Sequence, residues 1–131
     1  MKSHIAQLNL LLAWIGLLLG FISGSVLGLK FQREEWLGGY GSFKRRLYRL
    51  GHISLFGLSM VNLMFFFTTQ MFLAPSLPIH VASWGFVVGA VTMPVCCFVM
   101  ANQPKLQTLF AIPVISLLVG GILTLWEVIK L

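Results

Sequence analysis

The chain has 131 residues, 58% of them hydrophobic and 9% charged, with nine lysines and arginines against three acids and a net charge of +6. Soluble domains carry roughly a quarter charged residues, so this composition, with a mean hydropathy of +0.93, excludes a self-contained water-soluble domain and makes lipid part of the solvent. The cations flank apolar segments and do not spread over a hydrophilic face, which excludes nucleic acid as a partner and points to membrane topology and lipid head groups.

The first apolar run, Leu8–Leu29, follows Lys2. As a helix it is about 33 Å long, enough to span a bilayer, so it is read as a retained span and not a cleaved signal. It carries Gly16, Gly20, Gly24 and Gly28 at every fourth position, with Ser23 and Ser25 beside them. Such a small-residue stripe allows two membrane helices to approach closely.

Residues 30–47 form the one long polar loop, with Lys30, Arg33, Glu34, Glu35, Lys44, Arg45 and Arg46 around Gly38 and Gly39. Its aromatic and basic mixture suits a segment lying on the lipid surface, or one that docks a partner. The second span, Tyr48–Leu73, differs from the others. His52, Ser59, Asn62, Thr69 and Gln70 recur at helical spacing and share one face. A polar face in a membrane helix turns inward, and the Asn62 amide needs a partner across the bundle. His52 is a candidate ligand for haem iron or a quinone, and equally a candidate for an interhelical hydrogen bond.

A turn holding Pro75 and Pro78 leads to the third span, His80–Ala101, which presents Ala82, Gly85, Gly89, Thr92 and Cys96 on one face. Cys96 and Cys97 are adjacent inside an apolar run and read as small packing residues; the dispersed methionines read as core filler. Asn102, Gln103 and Pro104 stop the helix before the fourth span, Leu106–Trp126, with Ser116, Gly120 and Thr124. Continuous apolar runs lack the alternation of barrel strands. The expected fold is therefore an all-α integral membrane protein, a single domain over residues 1–131 built as a four-transmembrane-helix antiparallel bundle.

Topology follows from the basic residues. Lys30, Arg33, Lys44, Arg45, Arg46, Arg49 and Lys105 fall on one side, Lys2 and Lys130 on the other. The positive-inside rule puts the long loop in the cytoplasm and both termini in the periplasm of a bacterial inner membrane. Lys44, Arg45, Arg46 and Arg49 are expected to set that orientation and meet lipid.

The acids, Glu34, Glu35 and Glu127, lie in the loop or at a helix end, and no charged group sits in the middle of a span. Coupled transport needs such a group at the midplane. Phosphate-loop, hydrolase and zinc motifs are also missing. His4 and His80 share the outer side, so a bis-histidine haem b would have to use that pair, because His52 has no histidine at its own depth. The stretch Arg49-Leu-Gly-His-Ile-Ser-Leu-Phe-Gly-Leu resembles the start of histidine-bearing helices in small bacterial respiratory membrane proteins, and no site residue is implied by so short a match. The expected function is a small non-catalytic accessory subunit of a larger membrane complex in bacterial respiratory or other electron-transport metabolism. Its partners would be the lipid bilayer and other membrane-protein subunits. The alternatives are a haem b- or quinone-binding electron-transfer protein using His52, Asn62, His4 or His80, and a small channel or transporter lined by the His52–Ser59–Asn62–Gln70 stripe.

Overall fold

The computed structural model describes residues 4–131; Lys2, counted above with the outer side, lies outside them. Four long helices dominate: α1 (Gln7–Phe31), α2 (Phe43–Thr69), α3 (Leu77–Asn102) and α4 (Ala111–Ile129). Each is long and apolar enough to cross a bilayer, α4 together with the 3-10 segment Pro104–Phe110 that leads into it. The described residues contain no strand.

Two helices start earlier than the apolar runs suggest, for local reasons. α2 begins at Phe43 rather than Tyr48 because Ser42 caps it, its Oγ accepting the Arg45 backbone N–H at 3.1 Å. Lys44, Arg45 and Arg46 therefore sit in the first turns of a helix, not in a loop. α3 begins at Leu77 rather than His80, since Ser76 Oγ accepts from Ile79 N at 3.4 Å and Pro78 occupies the first turn, where its missing N–H costs nothing. At the far end of α2 the helix stops at Thr69, four residues before the apolar run does.

The helices pack in chain order. α1 lies on α2, α2 on α3 and α3 on α4, with a smaller contact between α1 and α3. Gly16, Gly20 and Gly24 of α1 meet Ser59, Phe56 and His52 of α2 in turn, so the two helices contact each other in reverse order of sequence. Gly51 of α2 lies against Cys97 and Phe98 of α3, and Gly85 of α3 against Ser116 and Gly120 of α4. A Cβ on Gly85 would stand 2.7 Å from the Ser116 carbonyl oxygen, closer than any real side chain sits. Gly89 faces Leu117 equally tightly. Gly28, the last glycine of the stripe, has nothing within 4 Å.

Burial is concentrated in the middle of the row: 39% of the α3 span is buried against 11% of α1 and of α4. Ala6, Phe65, Ile79, Ala82 and Phe86 form the apolar core at the end away from the long loop. Leu, Ile, Val, Phe and Trp side chains cover the outward faces of α1 and α4.

Candidate functional site

Three polar centres lie within or against this apolar frame. The first joins α1, α2 and α3. Asn62 is fully buried, and its Oδ1 accepts from Asn9 Nδ2 at 2.8 Å. Asn62 Nδ2 donates to the Leu58 carbonyl at 2.8 Å and reaches the Phe86 carbonyl at 3.4 Å. Asn9 Nδ2 also approaches the Ser83 carbonyl at 3.3 Å, while Ser83 Oγ donates to Asn9 Oδ1 at 2.5 Å. Two amides and a hydroxyl thus use their hydrogen-bonding groups on one another and on helix carbonyls. Asn9 and Ser83 were not anticipated from the sequence. The available signal was their position: both lie near the same end of the molecule as Asn62 and are isolated polar residues in apolar surroundings.

The second centre is His52. Its Nδ1 lies 2.8 Å from Ser23 Oγ, and Ser23 Oγ donates its single proton to the Gly20 carbonyl at 3.1 Å. Ser23 Oγ thus links the imidazole of α2 to the Gly20 carbonyl of α1. The ring edge carrying Cε1 abuts Gly24, where a Cβ would be 2.8 Å away, and the ring stacks edge-on against Phe56 at 5.3 Å. His52 therefore faces α1. Ser59 shares that side of α2, its hydroxyl bonded to the Leu55 carbonyl at 2.5 Å.

The third centre is Arg45. It is 1% exposed, so of the four residues expected to meet lipid this one is withdrawn from it, leaving Lys44, Arg46 and Arg49. Its guanidinium donates to the Phe31 carbonyl at 2.6 Å and the Arg33 carbonyl at 3.3 Å, closing off the C-terminus of α1. Rings surround it: Tyr40 at 4.1 Å, Phe31 at 4.7 Å and Trp36 at 5.5 Å from the guanidinium carbon. Helix C-terminal carbonyls and aromatic faces are both partially negative, so they stabilise a buried cation without a carboxylate. Nε has no partner. The loop reaches this arrangement through Leu37, Gly38 and Gly39, all at positive φ (55°, 86° and 101°), a conformation that glycine adopts freely. Leu37 adopts it with its carbonyl held by Ser42 Oγ at 2.5 Å.

The remaining candidates make the following contacts. His4 Nδ1 contacts Gln7 Oε1 at 3.2 Å, and His80 sits half-buried in the first turn of α3. Thr69 bonds the Phe66 carbonyl of its own helix, and Gln70 is exposed. Among the described residues no group of three or more His, Cys, Asp or Glu side chains is placed to hold a metal.

A cavity adjoins the first two centres through Leu58 and Ser23. It is a groove of about 430 Å³ between α1, α2 and α3, lined by Leu12, Ile22, Leu55, Leu58, Val91 and Val95 among others, with Ser23 and Ser59 in its walls. α1 and α3 are tied together through Asn9 and Ser83, and the groove's lining runs from Leu12 and Ala90 to Ser23 and Phe98, toward the long-loop end. Pro94, in its α3 wall, has no N–H for the Ala90 carbonyl, so the helix ladder is interrupted beside the cavity. Compared with protein-family models, curated proteins and solved structures, the chain matches none.

Proposed function

We propose that the chain is an integral membrane protein whose four helices cross the bilayer as an antiparallel bundle. In it the chain serves as a small non-catalytic accessory subunit of a larger complex in bacterial electron-transport metabolism. The observation that supports this reading is how the polar side chains inside the helices are used. Asn9, Asn62, Ser83, Ser23 and His52 bond to each other and to helix carbonyls, a use that joins helices. Meanwhile α1 and α4 keep outward faces of exposed Trp14, Leu18, Ile115, Ile122 and similar residues, which suit lipid or neighbouring apolar helices. In this reading the long loop is cytoplasmic, both termini are periplasmic and the membrane is the bacterial inner membrane.

The test is purification of tagged protein in mild detergent, with mass spectrometry and an absorbance spectrum taken on the same peak. A large peak holding several membrane proteins is the expected result, and its members identify the pathway. A small peak with this chain alone overturns the subunit reading. A Soret band lost in His52→Ala would replace it with a haem-binding electron-transfer protein.

A further inference from the structure

We propose that the groove between α1, α2 and α3 is a binding site for one anionic phospholipid, with an acyl chain along α2 and the phosphate between Lys30 and Lys44. The proposal rests on the membrane reading above. The inserted portion must be hydrocarbon. The groove walls are apolar apart from Ser23 and Ser59, and both hydroxyls already donate to carbonyls of their own helices. A ligand with polar atoms at that depth would lose its hydrogen bonds to water and gain no donor.

The register of the helices identifies the head group. Eleven residues are three helical turns and return to the same face, about 16 Å along the axis. Three turns beyond Leu19 on α1 stands Lys30; three turns before Leu55 on α2 stands Lys44; three turns beyond Val91 on α3 stands Asn102. Leu19, Leu55 and Val91 all line the groove. The three helices that wall the groove therefore carry, beyond its lining and at the same end of the molecule, two lysines and an amide. The bond from Arg45 to the Phe31 carbonyl at 2.6 Å holds the residues next to Lys44 and Lys30 together. Neither lysine forms a salt bridge; among the described residues the ion pair is Lys130 with Glu127. Seven cations share this end with Glu34 and Glu35, so the field there attracts an anion.

The length agrees as well. From Lys44 to Ser59, the last α2 residue in the groove's lining, α2 advances about 22 Å. That is somewhat more than the ~15 Å of hydrocarbon in one leaflet, leaving room for a head group above one acyl chain. Tyr48 lies on the same face, three turns before Ser59 and between the lysine and the groove, at the depth where its ring and hydroxyl suit the interface.

Photolabelling tests the site. The full chain is reconstituted into phosphatidylcholine vesicles containing a trace of phosphatidylglycerol with a diazirine in its acyl chain. It is irradiated, and the labelled residues are mapped by mass spectrometry. Label should concentrate on the groove walls around Ile22, Leu55 and Val91, and a diazirine phosphatidylcholine should show no such preference. Lys30→Gln with Lys44→Gln should lower groove labelling roughly thirtyfold, since each lysine near an anionic lipid contributes about 1 kcal/mol. Val91→Trp, which fills the groove from an exposed position, should abolish it. Equal labelling of the groove and of the outward faces around Trp14 and Ile122, or equal labelling by the two probes, overturns the proposal. Flotation of the same sample separates the two readings: a chain that does not float with the vesicles overturns membrane insertion too, whereas a floating chain labelled evenly overturns the lipid site alone.

Discussion

Arg45 shows how far a residue's role depends on what surrounds it. In the sequence it is the middle of three consecutive cations, and nothing distinguishes it from Lys44 or Arg46. In the fold it is buried while Arg46 is exposed, because helix α2 starts at Phe43 and turns position 45 toward the end of α1. A lysine in its place keeps the charge but cannot span two carbonyls with a planar fork. Arg45→Lys is therefore expected to destabilise the folded chain by about 1.5–3 kcal/mol, the value of hydrogen bonds to a charged group. The loop over residues 32–42 should also become open to protease in detergent; unchanged protection would show that the aromatic cage does not depend on the fork. Asn62 makes the opposite case. Its need for a partner is legible in any apolar helix, but the partner is not, because periodicity within α2 says nothing about which residue of α1 lies at its depth. A double-mutant cycle with Asn9→Leu and Asn62→Leu should give a coupling of about 0.6 kcal/mol and at most near 2, the range found for hydrogen bonds between membrane helices. Strict additivity of the two would mean that each amide is satisfied by carbonyls alone.

At the level of elements, the existence of the four helices is legible from length and apolarity, and their ends are not. Cationic residues read as loop, yet lysine and arginine are good helix formers, and the serine cap at position 42 decides where α2 begins. The glycine pattern is legible as a packing device, but its extent is not: contact requires a facing helix, and α2 is opposite Gly16, Gly20 and Gly24 only. This gives a paired prediction. Gly20→Leu places a large side chain where Phe56 already stands within 3.0 Å of a Cβ, and should separate α1 from α2. Gly28→Ala, with open space around it, should be neutral or stabilising by up to about 1 kcal/mol through lower chain entropy. Thermal unfolding of the two variants in one detergent checks both; an equal loss would show that the whole stripe faces a partner outside this chain.

Across the whole molecule, composition argues for a membrane environment, but the sequence is silent on packing order. The helices lie side by side in chain order with α4 held chiefly by α3, an arrangement no count of spans could distinguish from a closed square. Orientation is the property of the whole chain that charge alone should control, and the burial of Arg45 sharpens its test. Because Arg45 is a clamp, replacing it would confuse folding with topology, so the neutral substitutions belong at Lys44, Arg46 and Arg49. They leave Lys30, Arg33, Arg45 and Lys105 on the loop side against Lys2 and Lys130, a much weaker bias for the insertion machinery to read. A single cysteine at Gly41, an exposed position with nothing within 4 Å, in a chain with Cys96 and Cys97 replaced by alanine, reports the side. In intact bacterial cells the parent should resist an impermeant maleimide and the triple variant should become partly labelled. Full protection in both would mean that the remaining cations are sufficient, with Lys30 and Arg33 at the end of the first span as the next pair to neutralise. Full labelling of the parent would invert the topology and place the cationic end of the molecule in the periplasm.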